Sequence, residues 1–461
     1  FWLKHMPDML PPSVANSSKS TDGLLLDSRV TEQAKEFEAA CAVAIPDTDN
    51  EDEHEDGENN EDDDLDHLAL LQLNPFILQN FSKRKTWYMA AFDVEKWAPG
   101  LGDLTFPTAS APLSWEEAVA VKHYFQEDCC NRSGAITAQD HKVVRNLCTR
   151  INSLLQTLAP QCSEDAFFVR LGPRSPKDAT VFVAKATTLG RPPQWSVTAK
   201  KVQEAMRDVV AKNPHDANEV HYHFQEVAYS LLRVASADDA LMLLLSSSRV
   251  MQDLCHTMDC GKERWDVSII ARAWDRQVRL EREFRAFMVD GNLTAISQYD
   301  DQFRYEFVVQ SVEPIVMSIL NCFERARHHL FHLGYSKAAV VDFVVVPPAE
   351  ESKDVDGELW KARIVELNPF GPMTGPSLYL WSRDRRLLQG GRDVFGDLEE
   401  WDLRHPDASK PPLAKHIAEC HIHGIVFRYC AQPPPGLDWE RLRAEWEDYL
   451  MLAPPALASP A

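Results

Sequence analysis

The 461-residue sequence is short of several common signatures. It holds no GxGxxG and no GxxxxGK(S/T), which removes the dinucleotide-binding turn and the P-loop as ways of holding phosphate. Its ten cysteines include no CxxC pair and fit no disulfide framework, so reduced thiols are expected. Cys255, His256 and Cys260, with Cys420, His421 and His423, match no common zinc-finger spacing. No run of 18 apolar residues occurs, so no membrane-spanning helix is expected. The first residues, FWLKHMPDMLPP, lack the apolar core and small-residue cleavage site of a signal peptide. The expectation is a cytoplasmic monomer, read as a fragment or a chain with a misplaced start because it does not open on Met. Basic charge is scarce: 48 Lys and Arg stand against 70 Asp and Glu, a net charge of −22. A broad nucleic-acid footprint needs a basic surface, so no direct nucleic-acid partner is expected.

The acidity is uneven. Residues 47–66 hold 13 acids and no Lys or Arg, and without them the charge of −22 would be about −9. Such a run repels itself and has little to bury, so it reads as a disordered linker, with an arm for a basic partner surface as the alternative. The chain divides into a disordered acidic leader over 1–74, a folded domain over 75–385 with a helical block at about 181–260, and a C-terminal extension over 386–461 ending in a disordered tail. Ser114-Trp-Glu-Glu117 is a capping box that opens a helix to about Cys129. The spacing of Val143, Val144, Leu147, Ile151, Leu154 and Leu155 predicts a helix over 139–158. Residues 198–212, 217–246 and 311–333 also read as helices, the last closed by Gly334. A short helix with Trp439 and Trp446 falls in the extension. Residues 165–180 open as a strand and end as a polar loop. Strands are predicted at 264–275, 338–346 and 360–368, with a hairpin at 281–300 turning on Asp290-Gly291. Antiparallel strands with helices between them make the fold α+β rather than a doubly wound parallel sheet.

The chemistry concentrates in the last two of these strands. Asp342 stands inside VVDFVVV, where a carboxylate is costly to bury without a partner. Glu366 and Asn368 lie two apart in the next strand, IVELN, and so share a face. If the strands pair, Asp342 can face them. Two carboxylates and an amide oxygen then converge, which suits Mg2+, an ion that takes one or two carboxylates plus substrate phosphates. A structural network with arginines accounts for the same two acids. Arg170, Lys177, Arg272 and Arg285 each fall within or just after a predicted strand, and together would meet the charge of a polyphosphate. Pro369 lacks a ladder N–H and Gly371 permits a sharp departure, so the chain would leave the strand just past the metal.

FVRLGPRSPKDA (168–179), REFRAFMVDGNLTAISQYD (282–300), VVDF (340–343) and VELNPFGPMTGPSLYLW (365–381) occur in the order and with the character of the motifs of the cell division cycle protein 123 family. NFSKRKTWYMAAF and LTFPT, within 80–108, resemble its N-terminal segment. The resemblance spans about residues 80–382 and matches poorly over 181–260. It implies an ATP-grasp-like fold, in which two α+β subdomains with antiparallel sheets clasp ATP and Mg2+. It implies an assembly factor for eukaryotic translation initiation factor 2 that binds that factor's gamma subunit and promotes its joining with the alpha and beta subunits. By the same resemblance, Arg170 and Lys177 contact phosphate with their residue types exchanged relative to the family, and Ser175 lies on the loop over the phosphates. Ala271, Arg272 and Ala273 resemble the adenine-side hinge, with Ala273 where a basic residue is common. Arg285 contacts phosphate. Asp342, Glu366 and Asn368 match the magnesium set, with Glu366 in place of the more usual Asp.

Three functions follow. The first is an ATP- and magnesium-binding assembly chaperone for initiation factor 2. The second is an ATP-grasp ligase joining a carboxylate to an amine through an acyl phosphate, which would need a positioned base beside the γ-phosphate. The third is a nucleotide-free scaffold, disfavoured by the complete Asp342, Glu366 and Asn368 set.

Overall fold

Two sheets, one of three strands and one of six, organise the residues described by the computed structural model: 91–128, 134–162, 164–179, 217–335, 337–348, 360–371, 374–391 and 413–434. The acidic leader, the helix expected over 198–212 and the one carrying Trp439 and Trp446 lie outside these residues. Described residues from Phe92 onward belong to one compact unit.

The smaller sheet has β1 (Thr108–Pro112) and β2 (Phe167–Leu171) on either side of β3 (Ser268–Ala273), all antiparallel. Helices α1 (Trp115–Asp128) and α2 (Ala138–Leu158) pack against each other, and α2 packs on β1 and β3. Both starts are fixed by short polar side chains. Ser114 Oγ accepts the Glu117 N–H at 3.1 Å while Glu117 Oε2 accepts the Ser114 N–H at 2.8 Å, the capping box read from the sequence. A second box, Thr137 with Asp140, starts α2. Its apolar stripe is buried at Val144, Leu147, Ile151, Leu154 and Leu155, as the spacing predicted.

The stretch 217–246 is two helices, not one: α3 (Ala217–Ser230) and α4 (Ala237–Ser246), followed by α5 (Ser248–Met258). Between α3 and α4, Val234 pairs with Phe167 at the start of β2 through two backbone bonds of 2.8 and 2.9 Å. Ser236 then caps α4 by accepting the Asp239 N–H.

The larger sheet has the order β7 (Lys361–Asn368), β6 (Ala338–Val346), β4 (Glu283–Val289), β5 (Asn292–Gln298), β9 (Ile425–Cys430), β8 (Ile417–Ile422). Every residue of β6 is buried, which explains its near-continuous apolar run. The β4–β5 hairpin turns on Asp290 (φ 49°) and Gly291 (φ 66°), two consecutive left-handed residues whose twist matches the flanking strands. Helix α6 (Val312–His332) covers β6 and β7 and ends at Gly334 (φ 88°). Ending the folded domain at residue 385 cuts this sheet: β8 and β9 come from the segment read as an extension, and β9 pairs with β5 in parallel. Among the described residues no helix is long and apolar enough to cross a membrane.

Candidate metal and phosphate site

Register partners in neighbouring strands project to the same face of a sheet. Six polar residues form one row across the whole larger sheet: Glu366, Asp342, Arg285, Ser297, Arg428 and Glu419, each opposite the next. All but Glu419, on the edge strand, are buried. Such a row is absent from an ordinary core face, and it places the predicted magnesium set at one end.

Arg285 grips Asp342 in a fork. Its Nε donates to Oδ1 at 2.8 Å and its Nη2 to Oδ2 at 2.8 Å. Asn368, one step along the same face, donates Nδ2 to Asp342 Oδ2 at 3.0 Å. Arg285 also donates Nη1 to the Gly375 carbonyl and lies 4.6 Å from the centroid of the Tyr299 ring. Burial alone would lower the Arg285 pKa, but the charge and hydrogen bonds of Asp342, with Tyr299 and Glu283, reverse the direction and raise it. The arginine partner considered in the sequence reading therefore exists for Asp342, and the oxygen set exists beside it. An ionised carboxylate has roughly four lone-pair sites. Arg285 takes two and Asn368 a third, so Asp342 still has acceptor capacity for a cation. With Glu366 opposite and Asn368 alongside, the donors fit Mg2+. Among the described residues no group of three His, Cys, Asp or Glu side chains is placed to hold a metal ion, so two carboxylates and an amide would need phosphate or water to complete the coordination of Mg2+.

A β-bulge shapes this end. Asp342 opposes Glu366 and Phe343 opposes Ile364, so Val365 is the extra residue. Its carbonyl falls out of the ladder and accepts from Arg272 Nη1 at 3.2 Å. Arg272 also donates Nη2 to Thr105 Oγ1 at 2.9 Å and Nε to Thr108 Oγ1 at 3.1 Å. Thr105 in turn donates to the Ile364 carbonyl at 2.8 Å. Arg272 is thus the tie between the smaller sheet and the bulge. The expected adenine-side hinge of Ala271, Arg272 and Ala273 lies in the middle strand, laddered on both sides, and presents no free edge to a base.

The loop expected to lie over phosphate is held from the other side. Arg170 is fully buried; its Nε donates to the Leu171 carbonyl at 2.5 Å and its Nη2 to that of Gly172 at 2.7 Å. Its Nη1 and the buried Ser175 hydroxyl have no hydrogen-bond partner among the described residues. Burial drives the Arg170 pKa well down, and Arg174 and Arg272 add to this. Helix α5 clasps the loop at two points. Arg174 forks onto Asp253 at 2.6 and 3.1 Å, and Asp178 accepts from Ser247 Oγ at 2.5 Å and from the Arg249 N–H at 3.1 Å, at the start of the helix. The Lys177 charge partly opposes the burial that raises the pKa values of Glu283 and Asp300.

Glu283, Asp300 and Arg428 were missed as site-forming residues, although Glu283 stands two before Arg285 and so shares its face. Burial drives the Glu283 pKa well up, with Asp342 and Asp300 adding, and its Oε1 has no hydrogen-bond partner among the described residues. Burial also raises Asp300 to about 6, against the opposing Gln302 N–H. A carboxyl that binds its proton more tightly when folded costs stability as pH rises from the unfolded value through the folded one. Lowering the pH from 7.5 to 5 is therefore expected to stabilise the wild type. Asp300→Asn should flatten this dependence by roughly 1.4 kcal/mol, because only about one unit of the shift, from pH 5 to the folded value of about 6, is titrated in this window. Urea midpoints at the two pH values check it; an unchanged slope in the variant refutes it.

The fold and site together define a mixed α+β protein whose larger sheet gathers two acids, an amide and arginines on one buried face. Residues 199–409 match the model of the D123 family. It is 28% identical over 227 residues to a Xenopus laevis protein named translation initiation factor eIF2 assembly protein, covering 46% of this chain and 59% of that one. A protein of the same name from Schizosaccharomyces pombe is 26% identical over 161 residues, covering 33% and 44%. The chain thus spans less than two thirds of these relatives' lengths. Among solved structures it is similar to Cdc123 from Schizosaccharomyces pombe at 19% identity and a TM-score of 0.39, over 64% of this chain and 89% of that one.

Proposed function

We propose that this protein is an ATP- and magnesium-binding assembly factor of ATP-grasp type, whose client is translation initiation factor 2, engaged through its gamma subunit. The observation that carries the nucleotide half is the buried face on which Asp342, Glu366 and Asn368 meet Arg285. Asp342, Glu366 and Asn368 would hold Mg2+, which supplies charge neutralisation at phosphate oxygens. Arg285, Arg170, Ser175 and Lys177 would orient the phosphates. The relatives' name supports the client half. Arg170 Nη1 and Ser175 Oγ are buried groups suited to a ligand oxygen.

A ligase reading has one observation behind it. Glu283 is buried two residues before Arg285 on the same strand, with Oε1 unpartnered among the described residues; burial favours its protonated form, so a bound cation or ligand that drew off this proton would leave a carboxylate able to take the proton of an amine.

Calorimetry of ATP with and without Mg2+, then capture of the gamma subunit beside an assay for ADP or AMP release, tests both. The expected result is Mg2+-dependent binding and subunit capture without turnover. Absence of ATP binding overturns the nucleotide half, and absence of capture the client half. Turnover that appears only with an added amine, and is lost in Glu283→Gln, favours the ligase.

A further inference from the structure

We infer that Arg428 is a positioning residue for the candidate site, acting from the C-terminal hairpin on the segment that follows β7. This rests on the Mg2+-ATP reading. Arg428 is buried on β9 and binds three separate parts of the chain. Its Nη1 and Nη2 fork onto Asp384 at 2.6 and 3.1 Å, its Nε donates to Glu419 at 2.8 Å, and Nη1 also reaches the Leu378 carbonyl at 3.4 Å. Asp384, in helix α7 (Trp381–Leu388), accepts the Leu380 N–H at 2.9 Å. The guanidinium also lies 4.2 Å from the centroid of the Tyr379 ring.

The segment so gripped leads back to the metal set. Leu378 donates its N–H to Ser297 Oγ at 3.2 Å, and the single Tyr379 hydroxyl hydrogen is shared between the Ile296 and Val426 carbonyls at 3.2 and 2.9 Å. Trp381 Nε1 donates to the Thr374 carbonyl at 2.8 Å, and Thr374 Oγ1 to the Pro369 carbonyl at 2.6 Å. Between them, the Gly375 carbonyl accepts from Arg285 Nη1. One end of the segment is therefore Asn368, its middle touches the arginine that holds Asp342, and its far end is fixed by Arg428. A side chain that orients a ligand-bearing element controls affinity without touching the ligand.

Removing Arg428 does not strip Asp384 bare, because Arg383 still donates to it at 2.9 and 2.7 Å. Arg428→Met should therefore fold while loosening residues 374–381. Lysine cannot fork onto Asp384 and reach Glu419 together, so Arg428→Lys should fall between. The control is Phe427→Leu, a buried apolar change next door that keeps every polar link.

The full-length protein and the three variants are compared by hydrogen exchange at 374–381 and by Mg2+-ATP calorimetry. Arg428→Met is expected to accelerate exchange there beyond Phe427→Leu and to weaken Mg2+-ATP binding by about 10- to 100-fold, the range for partners that orient metal ligands. A wild type that binds no Mg2+-ATP overturns the nucleotide reading and this inference with it. A wild type that binds, with Arg428→Met binding equally or exchanging no faster than the control, overturns this inference alone.

Discussion

Asp342→Ala is expected to abolish Mg2+-dependent ATP binding and to destabilise the protein by about 3–5 kcal/mol, the cost of breaking a buried ion pair from one side. The side chains of Arg285 and Asp342 are 3% and 4% exposed, so the guanidinium left behind has no water to turn to. A carboxylate that served only as a metal ligand could be removed at little cost to the fold; the fork from Arg285 makes Asp342 structural as well. Asp342→Asn separates the two effects. Its amide oxygen can still accept from Arg285, so most of the fold's stability should return, while the lost negative charge leaves Mg2+-ATP affinity low. Calorimetry with parallel urea denaturation checks both. Undiminished ATP affinity in Asp342→Asn would falsify the metal assignment.

Arg272→Met is expected to unfold more readily, by roughly 3 kcal/mol, without weakening nucleotide binding in the folded fraction. The buried Val365 carbonyl and the Thr105 and Thr108 hydroxyls each lose a charged donor, and a buried acceptor left without one costs ~1–3 kcal/mol. Arg272→Lys should recover little, because one ammonium cannot span donors arranged as a fork. Denaturation midpoints measure the loss. If Arg272→Met keeps its stability but binds ATP weakly, Arg272 belongs to the nucleotide and not to the junction between the sheets.

The two variants mark where sequence reasoning reached and where it stopped. Asp342, Glu366 and Asn368 were legible because strand alternation is local: a period of two fixes which side chains share a face once the strands are known. The Asp290-Gly291 turn and the capping box at Ser114 were legible for the same reason, since each is decided within four residues. The structural partners of Arg272 were not legible because one of them is a carbonyl freed by a bulge at Val365, and a bulge depends on how two distant strands settle against each other. The break between α3 and α4 was missed because Val234 leaves the helix to bond with Phe167, 67 residues earlier along the chain. Strands β8 and β9 were missed among charged and Pro-rich neighbours. Their signal was present in the alternation of Ile425, Phe427 and Tyr429, and in His423-Gly424, which turn with φ of 50° and 81°.

By itself the sequence determined the elements with a strong local signal, where two of the helices are capped or closed, and that two acids and an amide in adjacent strands are candidates for a hard cation. These follow from periodicity and from the cost of burying charge. The tertiary structure decided which partner each charged group has. It set Arg285 on Asp342, put Arg272 at the junction between sheets, and joined Arg428 to the same polar row from β9, which starts 79 residues after the end of β6. The reason is that a buried charge is satisfied by whichever partner the sheet order brings opposite it, and sheet order is fixed by contacts between strands far apart in sequence.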